Sequence, residues 1–301
     1  MRIVSLLPSA TEILFGIGAG DEVVGVTHEC DYPPDASARP HLTSSALPAA
    51  GSPAEIDRHV RRSLHEGSSL YHLDAELLER LAPDLIVTQE LCVVCAVSYD
   101  IVQRAVRRLR GDPRLISLEP SSLDDVFGTI SFLGELTGHA SGAAALLAEL
   151  QSRVDALRAR AGDRALRPRV LVLEWTDPPM SGGHWTPGLV ELAGGTPVLG
   201  SPGVNSRVLA WDEVAREDPD TIVVGPCGFE LERTHAAIAE LETNGIWRSL
   251  RAVREDRVHA IDGSAYLNRP GPRLVDTAEI IATQLGAETR RTGTARAAQP
   301  R

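Results

Sequence analysis

Several features that would restrict the function are scarce or missing in this sequence. Only four of the 301 residues are cysteine, aromatic residues make up 4% of the chain, and no apolar run approaches the roughly 18 residues of a membrane-spanning helix. Lys and Arg number 30 against 41 Asp and Glu, which gives a net charge of -11. These shortages predict no transmembrane helix and argue against a nucleic-acid partner. The 43% apolar content and the chain length still allow two domains with real cores.

The N-terminal segment MRIVSLLPSATEIL also lacks the pattern of a secretory signal. It has neither an apolar central region nor a cleavage site of small residues, and no lipid-accepting cysteine stands near it. We therefore expect a cytoplasmic protein, in which thiols stay reduced.

What the sequence does contain is an alternation of short β-branched runs and longer helical stretches, which is typical of α/β proteins. Ile3–Leu7 is predicted as the first strand, and the capping box Ser9-x-x-Glu12 as the start of the helix after it. Leucines and a valine recur at helical spacing from Ser141 to about Ala161. This segment lies near the middle of the chain, so we expect it to connect two lobes.

A weak internal repeat supports two related lobes. Pro83–Val87 (PDLIV) resembles Pro219–Val223 (PDTIV), each follows a helix with an acidic cap, and each precedes a cysteine by a few residues. The repeat predicts duplicated lobes that present equivalent loops.

The four cysteines all follow predicted strands, where the loops of an open α/β sheet form a ligand crevice. Cys92 and Cys95 have the spacing of metal-chelating thiolates, and Cys30 and Cys227 extend the set to four. Such a set suits zinc or an iron–sulfur cluster, with His28 as a substitute ligand. Two alternatives stay open: buried cysteines that only pack, and a thiolate or His28 that binds the metal of a chelate.

The scarce aromatic residues and several polar side chains fall in the same class of loops. Aromatic rings there can wall a large flat ligand, and we favour this role for Trp175, Trp185 and Phe229 over simple packing. The arginine Arg269 is suited to bind an anionic group of the ligand. His184 lies in a turn before a helix, whose N-terminus can also bind an anion. The remaining candidate ligand-binding residues are His28, Glu29, Tyr32, Tyr71, Gln89, Glu90, Glu174, His184, Tyr266 and Arg269.

The opening IVSLLPSATEILFGIGAGDEVVGVTHECDYPP, the PDLIV strand, the central helix and the segment RVLVLEWTDPPMSGGHWTPGLVELAGG resemble class III substrate-binding proteins of ABC importers, most closely the vitamin B12-binding group. The resemblance implies two Rossmann-like α/β lobes joined by a connector helix, with a ligand cleft between them. The implied boundaries are 1–137 for the first lobe, 138–163 for the connector, 164–285 for the second lobe and 286–301 for a disordered tail.

The resemblance also implies the function. The leading hypothesis is a substrate-binding protein that holds a corrinoid (cobalamin) or another metal chelate, with an ABC permease as partner, although permease-docking residues are not evident. One alternative is a cytosolic enzyme that uses a cysteine-ligated iron–sulfur cluster or zinc, with His28 or Glu29 as acid or base. Another is a metal sensor or chaperone.

Overall fold

A computed structural model describes residues 1–48, 51–66, 68–89, 99–107, 109, 111–161 and 167–297. The chain divides into two compact units. Unit 1 comprises Met1–Pro120 and Asp124–Glu149, and unit 2 comprises Ser121–Leu123 and Leu150–Arg301.

Unit 1 is built on a four-stranded parallel sheet beside a small antiparallel ribbon. The strands of the first part of the chain are β1 (Ile3–Ser5), β2 (Val23–Val26), β3 (Thr43–Ser45), β4 (Tyr71–Leu73), β5 (Leu85–Thr88) and β6 (Arg114–Ser117). The parallel sheet has the order β2-β1-β5-β6, and β3 pairs with β4 antiparallel.

The helices of the first part of the chain lie between these strands and after them. They are α1 (Pro8–Gly16), α2 (Pro34–Ser37), α3 (Pro53–His65), α4 (Ala75–Leu81), α5 (Tyr99–Val106), α6 (Leu123–Thr137) and α7 (Ala140–Ala161). The long helix predicted from the sequence is thus confirmed as α7, which passes from unit 1 into unit 2 between Glu149 and Leu150.

Unit 2 repeats the parallel arrangement of unit 1. Its strands are β7 (Arg169–Thr176), β8 (Pro179–Ser181), β9 (Thr196–Val198), β10 (Thr221–Val224) and β11 (Val258–Ala260). Strands β9, β7, β10 and β11 pair in parallel in that order, and β8 turns back antiparallel on the second half of β7. The predicted α/β class is confirmed.

The helices of unit 2 are mostly short, except the last. They are α8 (Thr186–Leu192), α9 (Trp211–Glu217), α10 (Leu231–Leu241), α11 (Gly245–Ser249), α12 (Arg251–Arg254) and α13 (Leu274–Ala297), with a π-helical turn at Gly263–Leu267. Helix α13 extends beyond Leu285 to Ala297. The disordered tail expected at 286–301 stays a prediction. No described helix is both long and apolar enough to cross a membrane.

Side chains cap two helices of unit 1. Ser52 caps α3 in a complete capping box with Glu55, and the carboxylate of Asp74 accepts the Leu77 N–H at the start of α4. The box expected at Ser9 is wrong. Helix α1 already begins at Pro8, a residue that suits the first helical turn, so Ser9 lies inside the helix and no side chain caps it.

The internal repeat corresponds to a duplicated contact at the entry of the two sheets. In unit 1 the carboxylate of Asp84 accepts the backbone N–H of Arg2 at 2.7 Å, and in unit 2 Asp220 accepts the N–H of Arg169 at 2.7 Å. Each Asp opens the strand that pairs with β1 or β7, so each holds the start of the neighbouring strand in register.

The residues just before these aspartates repeat as well. Ala82 and Asp218 end α4 and α9 in the left-handed conformation, with φ of 42° and 39°. The side chain of the strand-entry arginine then donates to the last turn of the helix in both units, to Leu81 O at 2.8 Å and to Glu217 O at 2.5 Å. The duplication therefore extends from a four-residue sequence match to an entire helix–turn–strand unit.

Candidate functional site

In each unit the loops after the parallel strands carry most of the candidate residues. In unit 1 the loop after β2 holds the predicted triplet His28, Glu29 and Cys30. In unit 2, Glu174 and Trp175 lie in the last residues of β7, and Phe229 lies in the loop after β10. This edge is where open parallel sheets bind ligands.

His28 is fixed by a hydroxyl from the antiparallel ribbon of unit 1. Its Nδ1 lies 2.7 Å from Oγ1 of Thr43 on β3, and its backbone N–H donates to the same oxygen at 3.0 Å. The ring also packs against Tyr71, with 5.6 Å between centroids. Burial, with a smaller contribution from His41, lowers the pKa of His28 below its usual 6.5, so the imidazole is neutral at pH 7.

Cys30 lies in a buried hydroxyl network. It is 1% exposed, and its Sγ lies 3.0 Å from Oγ1 of Thr11, which in turn donates to Oγ of Ser5 at 2.8 Å. This environment fits the interpretation of Cys30 as a small, hydrogen-bonded core residue.

The other candidate residues of unit 1 differ in their exposure to solvent. Tyr32 is exposed, Tyr71 and Gln89 are buried, and Glu29 lies with its Oε1 3.9 Å from Nε2 of His28. The predictions for Glu90, Cys92 and Cys95 lie outside the described residues.

Unit 2 brings two of the three favoured aromatic residues together. The rings of Trp175 and Phe229 meet edge-on with 5.3 Å between centroids, and the guanidinium of Arg233 lies 3.8 Å from the centre of the Phe229 ring. Burial lowers the pKa of Arg233, and the nearby Glu230 opposes that effect. We call Trp175, Phe229 and Arg233 the aromatic–arginine cluster.

Glu174 is held by three hydrogen-bond donors within unit 2. Its carboxylate accepts the Gly183 N–H at 3.1 Å, the Thr186 hydroxyl at 2.8 Å and the Ser206 hydroxyl. Burial raises its pKa despite these donors. The carboxylate thus connects the loop after β8, the start of α8 and Ser206, and its role in ligand binding stays a prediction.

His184 and Trp185 lie in the turn that Glu174 holds. His184 has a φ of 48°, and its Nε2 bonds to Asn205 at 2.9 Å. Trp185 is 8% exposed, and its indole N–H donates to Leu267 O at 2.9 Å. The indole is thus anchored within unit 2, and its role in ligand binding stays a prediction.

The π-helical turn completes the edge of unit 2. Its cap is Asp262, and Phe229 O accepts two of its N–H groups, from Gly263 at 2.9 Å and from Ser264 at 3.1 Å. Arg269 lies just beyond the turn and is only 5% exposed, so its side chain is buried. The ring of Tyr266 lies 5.4 Å from the Arg273 guanidinium.

The metal hypothesis receives no support from this geometry. Cys227 is a half-buried thiol in unit 2, and Cys30 is a buried thiol in unit 1. In the described parts of the chain no three His, Cys, Asp or Glu side chains are placed to hold a metal ion.

Sequence reasoning missed Arg233, Thr43 and Ser206. Arg233 was detectable, because it follows Phe229 by four residues at the start of a helix, where an aromatic ring and a cation meet. Thr43 is 15 residues along the chain from His28, and Ser206 is 32 residues from Glu174, the residues that they contact. No local sequence pattern indicates contacts over such separations.

The comparisons with known proteins agree with one another on the protein family. A family model described as periplasmic binding protein matches residues 3–265. A cobalamin-binding protein of Halobacterium salinarum is 26% identical over 280 residues, which cover 91% of this chain and 66% of the relative, just under two thirds of its length. A vitamin B12-binding protein of Vibrio cholerae is 25% identical over 293 residues, covering 94% and 88%. Zinc and iron–sulfur clusters do not appear in these descriptions.

Solved structures show the same fold. The periplasmic vitamin B12-binding protein of Vibrio cholerae superposes with a TM-score of 0.68 at 22% identity, covering 95% of this chain and 96% of that one. A periplasmic haem-binding protein of Roseiflexus sp. RS-1 gives 0.70 at 24% identity, covering 94% and 97%. With the family model matched over most of its length, this chain belongs to the periplasmic binding protein family.

Proposed function

We propose that this chain is a substrate-binding protein whose ligand is a corrinoid or a related metal chelate. Relatives named for cobalamin or vitamin B12 match more than nine-tenths of the chain, and structures of the same fold are named for vitamin B12 and haem. The task of such a protein is capture and release, which needs a shaped surface and no catalytic group.

The observation that carries the proposal is the aromatic–arginine cluster at the sheet edge of unit 2. Trp175 is half-buried at the end of β7, and its indole N–H donates to Asp177 O at 3.1 Å, which fixes the ring plane. A flat macrocycle offers a large apolar face to such a ring, and its polar substituents suit a guanidinium at the rim.

Arg233 adds a cation to the cluster. Its guanidinium lies 3.8 Å from the centre of the Phe229 ring, which shields that side of the cation from water. A partly desolvated guanidinium interacts more strongly with an anionic or amide group than a fully hydrated one does. The cluster therefore favours ligands that combine a broad apolar face with polar substituents.

The partner and the compartment belong to the same proposal. A substrate-binding protein of this family would deliver its ligand to an ABC permease, and copurification with a permease would test that. The cytoplasmic location predicted from the sequence stays a prediction, which cell fractionation with a marker enzyme for each compartment would test.

The test is a titration of the purified protein with aquocobalamin, haemin and a ferric siderophore, followed by absorbance and calorimetry. Trp175→Ala should weaken binding of the preferred ligand about tenfold, which equals the loss of roughly 1.4 kcal/mol of stacking. Phe132→Ala, an exposed aromatic residue on α6, is the matched control and should bind as the wild type does. If the wild type binds none of the three ligands, the proposal fails.

A further inference from the structure

Strand β7 contains a β-bulge near its carboxyl end. Where β7 pairs with β8, Leu173 opposes Ser181 and Trp175 opposes Met180. Two steps along β7 therefore match one step along β8, which makes Glu174 the extra residue of the bulge. Bulges bend a strand and re-aim the side chains beside them, and they are frequent next to active sites.

The bulge decides which face of the sheet the Trp175 ring lies on. Neighbouring residues of a strand point to opposite faces, so Ser181 and Met180 lie on opposite faces of β8. Directly opposed residues share a face, and therefore Leu173 and Trp175 face opposite ways although they are two residues apart. Leu173 belongs to a core cluster of unit 2, whereas Trp175 is half-buried. Without the extra residue, Trp175 would follow Leu173 onto the core face.

Three hydrogen-bond donors hold the side chain of the bulged residue. Oε1 of Glu174 accepts the Gly183 N–H at 3.1 Å and the Thr186 hydroxyl at 2.8 Å, and Oε2 accepts the Ser206 hydroxyl. The donors come from the turn after β8, from the first residue of α8 and from the loop after β9. One carboxylate therefore fixes the bulge to three separate segments of unit 2.

The backbone around the bulge is fixed as well. The carbonyl oxygen of Glu174 accepts the Cys227 N–H at 3.1 Å, from the loop that also carries Phe229. A Cβ at Gly183 would collide with the backbone of Ser206, so the turn after β8 and the loop after β9 approach each other as only glycine allows. The loop of Phe229 and the loop after β9 are thus both held by the bulged residue.

The net stability that these bonds contribute does not by itself explain the carboxylate. Burial raises the pKa of Glu174, which means that its ionisation is opposed in the folded state. Hydrogen bonds of buried groups have a modest net effect on stability, because the same groups bond to water in the unfolded chain. Three donors directed at one side chain do fix a geometry, and the geometry fixed here is that of the bulge.

We propose that Glu174 is the positioning residue of the ligand-binding edge of unit 2. Its hydrogen-bonded carboxylate holds the bulge that directs the Trp175 ring toward the ligand, and it does not contact the ligand itself. This inference rests on the proposed function, in which the Trp175 ring meets the apolar face of the ligand. It predicts that the hydrogen bonds of Glu174, and not its charge, support binding.

Two replacements of Glu174 separate its hydrogen bonds from its charge. In Glu174→Gln the amide oxygen can accept the Gly183 and Thr186 donors, and the amide N–H can donate to the Ser206 hydroxyl. Glu174→Leu has a similar size and makes none of these bonds. In titrations with aquocobalamin, haemin and a ferric siderophore, Glu174→Leu should bind the preferred ligand about tenfold more weakly than the wild type, and Glu174→Gln within about twofold of it.

A double-mutant cycle distinguishes positioning from direct contact. If Glu174 acts through Trp175, the double variant Glu174→Leu/Trp175→Ala should bind as weakly as Trp175→Ala alone, whereas independent contacts would multiply to a loss of about a hundredfold. Ser206→Ala removes one of the three donors and should weaken binding about threefold. Ser152→Ala, at an exposed position on α7, is the matched control and should bind as the wild type does.

The Trp175 ring also reports its own position without a ligand. The near-ultraviolet circular dichroism that Trp175→Ala removes from the wild-type spectrum belongs to this ring. Glu174→Gln should retain that signal and Glu174→Leu should lose it, while far-ultraviolet circular dichroism and cooperative urea unfolding show that each variant is folded. Ser206→Ala, a smaller change, should reduce the same signal and provides the test where Glu174→Leu does not fold.

The outcomes separate the inference from the proposed function. If the wild type binds a ligand and folded Glu174→Leu binds it equally well, or if the losses in the cycle multiply, positioning by Glu174 is refuted and the proposed function stands. A loss of affinity in Glu174→Gln as large as in Glu174→Leu would also refute it, because the charge would then be what supports binding. If the wild type binds none of the ligands, the proposed function fails, and a Trp175 signal unchanged in Glu174→Leu then refutes the positioning role as well.

Discussion

Replacement of the two duplicated aspartates tests whether the repeat is energetically equivalent in both units. Asp84→Ala and Asp220→Ala each remove the carboxylate that accepts a backbone N–H at the entry of the central strand. The two contacts have the same length, 2.7 Å, but their surroundings differ. Asp84 is exposed, whereas Asp220 is half-buried and also pairs with Arg251 at 2.7 Å.

The difference in surroundings sets the expected magnitudes. A hydrogen bond to a charged group contributes about 1.5–3 kcal/mol when shielded, and water replaces much of that at an exposed site. We therefore expect Asp84→Ala to cost about 1 kcal/mol. Asp220→Ala should cost about 2–3 kcal/mol, because it also leaves a partly buried N–H unpaired and removes a partly exposed ion pair worth at most about 1 kcal/mol.

The chain offers a built-in probe for this measurement. All four tryptophans lie in unit 2, so their fluorescence follows the unit that contains Asp220, and far-ultraviolet circular dichroism follows the whole chain. In urea, Asp220→Ala should lower the fluorescence midpoint by about 1 M, taking a slope of about 2 kcal/mol/M. Asp112→Ala, at an exposed position, is the control. An Asp220→Ala midpoint within error of that control would refute the reasoning.

Two further predictions concern unit 2. Trp247 is fully buried, its ring meets Trp211 edge-on with 5.9 Å between centroids, and its indole N–H donates to Glu242 at 2.9 Å. Trp247→Ala should therefore lower the free energy of unfolding in urea by about 3–5 kcal/mol. An unchanged urea midpoint would contradict the place of Trp247 in the core. Glu174 has a raised pKa, so the folded state binds its proton more tightly than the unfolded state and ionisation opposes folding. In a thermal-unfolding series, the wild type should lose stability relative to Glu174→Gln as pH rises from about 4.5 through that raised pKa. A gain in stability over the same pH range would contradict the raised pKa of Glu174.

Local sequence patterns were enough to predict the strands, the long helix and the duplication. The Pro-Asp motif worked because its parts act within a few residues: proline ends the helix turn, and aspartate opens the strand. The same kind of reasoning failed at Ser9, where a proline one residue earlier already provided a helix start and made the capping pattern redundant.

The site was harder to predict, because its geometry depends on distant parts of the chain. Trp175 and Phe229 were expected from their places after strands, and the structure brings them together. Glu174 was assigned to the ligand because a carboxylate after a strand often faces a crevice. Only the fold shows that Gly183, Thr186 and Ser206 already occupy it.

The most direct test of the account is the titration of the wild-type protein with aquocobalamin, haemin and a ferric siderophore at micromolar concentration, monitored by calorimetry and absorbance. The account predicts saturable one-to-one binding of at least one of them, weakened about tenfold by Trp175→Ala and unchanged by Phe132→Ala. Absence of binding to all three ligands, by protein that unfolds cooperatively, would contradict it.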